Sequence, residues 1–269
     1  MLNFRVLVDN NTKIDHYYFG EPGASYYIEV DDKKILFDTG YSGVFMKNAE
    51  LLGIDLSKVT HIVLSHGHDD HTGGLKPFFE KFDTKDMELI CHEECLLPKY
   101  YDGEYIGSPY NIEEIKEYVK YRPENGFVEF AKDFYYLGQI PRVTDFENKI
   151  PIGEIEKNGE KSSDFIMDDT ALVYKTDDGL FVITGCSHSG ICNIIEYAKK
   201  VCNEERIVGV IGGFHLLKDN EQLDRTIEFL ETCNIAKFYP CHCVSLVAKA
   251  KMFRTLPVKE VAVGLQINL

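Results

Sequence analysis

Six residues constrain this chain more than any others. His66-Gly67-His68-Asp69-Asp70-His71 sets three imidazoles and two carboxylates directly after a strand-like run, His61-Ile62-Val63-Leu64. Imidazole nitrogen and carboxylate oxygen are the donors that borderline and hard divalent cations prefer, and crowding them together without a cation is costly. In an extended segment His66, His68 and Asp70 point to one face, whereas steps of two on a helix scatter side chains around the axis. The motif therefore predicts a metal site on a strand end and tight turn. A solvated loop that merely happens to be rich in histidine is the competing reading, but His-x-His-x-Asp-His is far more restrictive than a lone GxGxxG.

The chain has 269 residues, long for one average domain but compatible with a single α/β domain over 1–269 that buries a substantial core. Lys+Arg 29 against Asp+Glu 44 gives a net charge of -15. That balance opposes counterion release, so neither nucleic acid nor an anionic membrane is expected as a partner. No apolar run approaches the roughly 20 residues that span a bilayer. Met1-Leu2-Asn3-Phe4-Arg5 lacks the basic and apolar regions of a secretion signal, so a cytoplasmic location is expected. Eight cysteines are too sparse for a disulfide scaffold and read as thiols, buried or metal-bound.

A phrase of the sequence occurs twice. Tyr26-Tyr27-Ile28-Glu29-Val30 and Ile35-Leu36-Phe37 flank the polar turn Asp31-Asp32-Lys33-Lys34 and end at Asp38-Thr39-Gly40, the pattern of a hairpin followed by a breaker. Ala171-Leu172-Val173-Tyr174, Asp177-Asp178-Gly179 and Leu180-Phe181-Val182-Ile183-Thr184-Gly185 repeat it, with the two Thr-Gly pairs 145 positions apart. A helix and then an apolar strand ending near histidine follow each hairpin: His61 to His66 first, Arg206 to His215 later. Two related halves, each a sheet covered by helices, are expected to meet with their histidine-bearing strand ends along one edge. Spacings of three and four between apolar residues predict helices over Gly43–Leu52, Leu75–Lys81, Ile112–Tyr121, Ile191–Cys202 and Asn220–Cys233. The aromatic, Gly- and Pro-punctuated stretch from about His92 to Asp168 reads as an insertion over the site.

The hairpin with Asp38-Thr39-Gly40, followed by His66-Gly67-His68-Asp69-Asp70-His71-Thr72-Gly73-Gly74, resembles the metallo-β-lactamase superfamily over nearly the whole chain. Leu137-Gly138-Gln139-Ile140-Pro141-Arg142, Asp168-Asp169-Thr170-Ala171-Leu172, Gly185-Cys186-Ser187-His188-Ser189-Gly190-Ile191, Gly212-Gly213-Phe214-His215-Leu216 and Pro240-Cys241-His242-Cys243 resemble a narrower subgroup. Its members are commonly labelled dihydropterin-linked ribofuranosylaminobenzene 5'-phosphate synthases. The resemblance implies a four-layer αββα sandwich with internal pseudo-two-fold symmetry and a dinuclear metal centre. The superfamily usually supplies a third histidine before the second hairpin and a bridging aspartate after it. Here Asp169 stands near the first place and Cys186 in the second, so the usual ligand set cannot be copied across.

On that resemblance His66 and His68 are expected to hold one metal and Asp70 and His71 the other, with His242 completing the second site. Cys186 and His188 are the candidates for the remaining positions; an inert buried thiol is the alternative for Cys186. The metals are two divalent ions, zinc by preference, with iron or manganese compatible with the same donors. Asp70 is the expected catalytic carboxylate, a ligand that also orients the attacking water. Asp38 suits a supporting role, hydrogen-bonding the histidine-bearing loop, and can close an Asx-turn at the same time. His215, after a Gly-Gly pair, is a candidate for contacting substrate, or else caps its strand. Arg142 is a candidate for holding a substrate phosphate, with an exposed ion pair as the alternative.

The leading functional expectation is a hydrolase that attacks an ester or phosphoester of a small, possibly phosphorylated molecule. Synthesis or group transfer in methanopterin-like cofactor metabolism is the second. A metal-dependent ligand sensor without catalysis is the third. The sequence leaves the oligomeric state open.

Overall fold

Each of the two repeated phrases folds as the turn chemistry dictates. In the computed structural model, which describes residues 1–269, strands Ser25–Val30 and Lys33–Phe37 pair antiparallel with Val30 opposite Lys33. Asp31 takes the left-handed conformation, φ 52°, which a short polar side chain tolerates better than a branched one. Strands Ala171–Thr176 and Gly179–Thr184 pair likewise, Thr176 opposite Gly179. A Cβ at Gly179 would lie 2.5 Å from the Arg206 carbonyl oxygen, so only glycine closes this turn beside the neighbouring strand.

The chain divides into two compact units. The first comprises Met1–Asn125, Pro151–Asp168 and Ala262–Leu269, and the second Gly126–Ile150 and Asp169–Val261. In the first unit a seven-stranded sheet runs in the spatial order Gln266–Asn268, Leu2–Val8, Ser25–Val30, Lys33–Phe37, His61–Val63, Glu88–Cys91, Lys120–Pro123. Neighbours up to Lys33–Phe37 are antiparallel and those beyond it parallel. The second unit's six-stranded sheet runs Val128–Ala131, Phe134–Tyr136, Ala171–Thr176, Gly179–Thr184, Ile207–Gly212, Phe238–Pro240, and changes from antiparallel to parallel at Gly179–Thr184. The repeat seen in the sequence is thus a repeat of topology: two antiparallel strands, a hairpin, then parallel strands, three in the first sheet and two in the second.

Parallel neighbours require crossover connections, and helices fill them. Val44–Leu51 and Leu75–Lys81 lie in the first unit, where Phe45, Leu75 and Phe78 pack with Leu36, Ile62 and Leu89 of the sheet. Ile191–Cys202 and Glu221–Thr232 serve the second, burying Ile191, Ile194, Ile195, Leu223 and Leu230 with Val173, Val182 and Val210. Full burial of each such side chain stabilises the fold by roughly 1.5–3 kcal/mol. Asn220 caps Glu221–Thr232 by accepting the Leu223 N–H at 3.1 Å, and Asn203, φ 46°, ends Ile191–Cys202 in the left-handed region. No helix is long and apolar enough to cross a membrane.

One helix expectation needs correction, and one helix was not anticipated. Over Ile112–Tyr121 only Ile112–Ile115 is helical, held by a capping box between Asn111 and Glu114. Lys120–Pro123 instead joins Glu88–Cys91 as a parallel edge strand, so sheet pairing overrides the local helical spacing. Helix Leu246–Met252, capped where Ser245 Oγ accepts the Ala248 N–H, had no counterpart among the expected elements. The stretch from His92 to Asp168 is also distributed between elements. Lys99–Tyr101, Glu104–Tyr105, Glu154–Lys157 and Glu160–Ser163 form a small four-stranded sheet in the first unit, while Val128–Ala131 and Phe134–Tyr136 extend the second unit's sheet.

Candidate metal centre

In both units the sequence candidates sit beyond the carboxyl ends of strands next to the parallel pairs, where open α/β sheets carry their ligand sites. In the first unit Lys33–Phe37 leads into Asp38, and His61–Val63 leads into Ser65 and His66. His66, Gly67 and His68 follow the strand as irregular chain with a bend at Gly67. His68 then serves as the N-cap residue, φ -70° and ψ 151°, of a helical turn Asp69–Thr72. Asp70 and His71 therefore belong to a helical turn, correcting the expectation that Asp70 continues an extended segment with His66 and His68.

Asp38 organises this loop. It is buried, in the left-handed conformation at φ 59°, and accepts the Ser65 N–H and the Ser65 hydroxyl, each at 2.7 Å. His71 Nδ1 lies 2.7 Å from the same carboxylate. A carboxylate can only accept, so Nδ1 carries the proton and Nε2 presents its lone pair outward. Thr39 adds two contacts, its N–H and its hydroxyl both donating to the His71 carbonyl oxygen at 2.8 and 3.0 Å. The Asp-Thr step that closes the first hairpin thereby fixes the ring and backbone of His71.

The imidazoles converge. His66 Nε2 and His68 Nδ1 are 3.0 Å apart, and the His66 and His71 rings are 4.3 Å apart, centre to centre. Two nitrogens bound tetrahedrally to one cation at about 2.0–2.1 Å are separated by ~3.3 Å, so this pair is spaced as ligands are. Burial pushes the His68 imidazole down to a pKa of about 4, which keeps it in the neutral form that a metal ligand needs. Asp70 Oδ2 is 3.7 Å from His71 Nε2, within reach of the same cation. Burial, reinforced by Asp70, raises the Asp69 carboxyl to about 6.

Beneath the His66–His68 segment lies an ion cluster that sequence reasoning missed. Asp168 accepts the Gly67 N–H at 2.8 Å and the Lys99 ammonium at 3.0 Å, and Lys99 also donates to Asp164 at 2.9 Å. All three side chains are buried. Burial opposes the charge on Lys99, but Asp168 and Asp164 outweigh it and hold the ammonium protonated above its ordinary range. Gly67 has no room for a side chain: a Cβ there would stand 1.9 Å from the Cys95 carbonyl oxygen and 2.8 Å from the Lys99 stem. Cys91 and Cys95 themselves belong to the first unit's hydrophobic core.

In the second unit three strand ends carry the remaining candidates. Gly179–Thr184 leads to Cys186 and His188, Ile207–Gly212 to His215, and Phe238–Pro240 to His242 and Cys243. Ser187, His215 and His242 all adopt left-handed backbone, φ 57°, 47° and 49°. Such conformations cost of order 1–3 kcal/mol each in a non-glycine residue and concentrate at functional sites. Hydrogen bonds hold the first of these turns: Ser187 Oγ donates to the Gly213 carbonyl at 2.6 Å, and the Gly213 N–H donates to the Gly185 carbonyl at 2.8 Å. The His188 and His215 rings are 4.4 Å apart. Although burial works the other way, a hydrogen bond with Cys186 and the nearby His242 and His215 imidazoles hold the Cys243 thiol well below its ordinary range.

Asp169 supports the same loop. It accepts the Ser189 N–H at 2.8 Å and the Ser189 hydroxyl, while burial raises its carboxyl to about 6 against those bonds and against Arg142. Glu147, another residue that sequence reasoning missed, accepts the N–H groups of Cys192 and Asn193, each at 3.0 Å, at the start of helix Ile191–Cys202. The capping group comes from 45 residues away, so no local capping pattern marks it.

Residues 18–199 match the sequence model of the metallo-beta-lactamase superfamily. Among curated proteins, the chain is 34% identical over 253 residues to the uncharacterized protein MJ0448 of Methanocaldococcus jannaschii, covering 92% of this chain and 93% of that one. It is 29% identical over 247 residues to a 7,8-dihydropterin-6-methyl-4-(beta-D-ribofuranosyl)-aminobenzene-5'-phosphate synthase of the same organism, covering 86% and 84%. Among solved structures it is similar to Tm1679, described as a metal-dependent hydrolase of the beta-lactamase superfamily, with TM-score 0.84 and 33% identity over 100% of this chain and 99% of that one.

Proposed function

Because this chain belongs to the metallo-β-lactamase superfamily and has its fold, we propose that it is a metal-dependent hydrolase acting on an ester or phosphoester bond of a small molecule. The observation that carries the reading is the first unit's donor set: His66 Nε2 and His68 Nδ1 spaced for one cation, with His71 held to Asp38 so that Nε2 faces outward. The proposed ligands of two divalent ions are His66, His68, Asp70, His71, Cys186, His188 and His242. Zinc suits a set that includes a thiolate; iron or manganese remains compatible with the imidazole and carboxylate members. When bound, such ions polarise a carbonyl or phosphoryl oxygen and bring the pKa of water to about 7.

The chain's own residues do the rest. Asp70 accepts a hydrogen bond from the attacking water and orients it. Asp38 keeps His71 in one tautomer through the cycle, and Asp168 pins the backbone between His66 and His68. Arg142 is the proposed contact for a substrate phosphate, and His215 for charge that develops on the substrate. Asp169 acts through Ser189 on the loop that carries Cys186 and His188. The proposed setting is the cytoplasm, with a small molecule rather than nucleic acid or membrane as the partner.

The 29% identical relative named as a pterin-linked synthase favours a second reading, group transfer on a phosphorylated pterin precursor. Both readings are tested by metal-loaded protein assayed on chromogenic esters and phosphodiesters, alongside His68→Ala. Turnover that requires metal and vanishes in His68→Ala supports hydrolysis. Unchanged turnover in the variant removes this site from the mechanism, and retention of a phosphate-bearing product without hydrolysis favours the second reading.

A further inference from the structure

His215 and Cys243 have no ligand role in the hydrolytic reading, yet they are placed as ligands are. Three loops of the second unit bring one donor atom each of Cys186, His215 and Cys243 within 4.8 Å of one another. Neither cysteine is in a disulfide. The backbone makes room for them. A Cβ on Gly213 would stand 2.5 Å from Cys243 Sγ and 2.6 Å from the Gly185 carbonyl oxygen, so the absent side chain is what admits the sulfur. The left-handed turn at His215, φ 47°, directs its own N–H to Cys243 Sγ at 3.3 Å, and Cys243 Sγ in turn is 3.6 Å from the Cys186 carbonyl oxygen.

We propose that Cys186, His215 and Cys243 form a binding site for one thiophilic cation, zinc or copper(I), held by two thiolates and one imidazole. Two sulfurs bound tetrahedrally at about 2.3 Å are separated by ~3.8 Å, and the three donor atoms, all within 4.8 Å of one another, lie near that spacing. Two thiolates make the set soft, which selects against manganese and magnesium. The site rests on the hydrolytic reading only in that both draw on Cys186, whereas Cys243 and His215 belong to this one alone.

Cobalt(II), a spectroscopic substitute for zinc, tests the assignment on the full-length, metal-free protein. The thiolate-to-cobalt charge-transfer band should have the intensity of two thiolates, fall by about half in Cys243→Ser and again in Cys186→Ser, and persist in His68→Ala. A band that keeps its full intensity in Cys243→Ser overturns the proposal. Should Cys243→Ser fold poorly, zinc protection of the wild type against iodoacetamide decides the matter by mass spectrometry. Slower alkylation of Cys243 in the zinc-loaded form supports the site, and equal rates overturn it. Failure of the hydrolytic reading shows elsewhere, as metal-dependent turnover that His68→Ala leaves unchanged, and does not move the thiolate band.

Discussion

Replacing Lys99 with Met exposes how the His66–His68 segment is held. Lys99 is the only cation within hydrogen-bond distance of the Asp164 and Asp168 carboxylates, at 2.9 and 3.0 Å, and all three are buried. Met fills nearly the same volume and keeps the packing of the stem, so the change removes charge rather than contact area. It leaves two carboxylates out of water without a counter-ion, the situation in which breaking a buried pair costs about 3–5 kcal/mol, against about 0–1 kcal/mol for an exposed pair. Urea unfolding of metal-free protein should therefore show a loss of about 3–5 kcal/mol with an unchanged slope. Burial acts to raise the Asp168 carboxyl, but Lys99 outweighs it and holds the group low, so its share of stability is present above about 3.9 and is lost as pH falls below that value. Lys99 is held high, so its share persists at all pH values below about 10.4 and fades only as pH rises past that value. The stability gap between wild type and variant should accordingly be flat across neutral pH and narrow in acid. Because Asp168 also holds the Gly67 N–H, the variant should bind metal about 10–100-fold more weakly. A loss below about 1 kcal/mol, the range of an exposed pair, would refute the reasoning.

Asp38→Asn keeps a residue that tolerates φ 59° but replaces the carboxylate that accepts from His71 and Ser65; metal affinity should fall about 10–100-fold in isothermal titration while the far-ultraviolet circular dichroism is unchanged. Asp169 has a carboxyl raised to about 6, so its ionisation destabilises the folded protein as pH rises from about 4 to 6; Asp169→Asn should flatten part of that decline in thermal melts of metal-free protein, with Asp69, also raised to about 6, and Glu147, raised by burial, contributing to the remainder. Gly67→Ala sets a Cβ 1.9 Å from a carbonyl oxygen and should lower the melting temperature and abolish metal retention together. Cys186→Ser should weaken metal retention on dialysis, and equal retention in both forms would return Cys186 to the role of an inert buried thiol.

Both hairpins and their repeat were legible because they are specified locally, by alternating apolar residues and short polar turns. Helices Leu75–Lys81 and Ile191–Cys202 begin and end where their apolar spacing does. The imidazole motif was legible by residue type, but the helical turn at Asp69–Thr72 was not, since four residues carry no periodicity. Lys99 escaped notice because its meaning lies 65 and 69 residues away, in Asp164 and Asp168. The Asp168-Asp169 pair was visible, yet nothing in the sequence divides the work between Asp168, which holds the first unit's loop, and Asp169, which holds the second's. Glu147 likewise caps a helix that begins more than forty residues later. Ile112–Tyr121 shows the reverse failure, a helical spacing that an edge strand overrules.

The central claim is that the imidazole, carboxylate and thiol groups at these strand ends are metal ligands. Elemental analysis of protein purified without chelator, then dialysed against metal-free buffer, tests it most directly, with His68→Ala in parallel. The account predicts about two divalent ions per chain in the wild type and a loss of metal in the variant; fewer than about one ion per chain, or equal content in both, would contradict it.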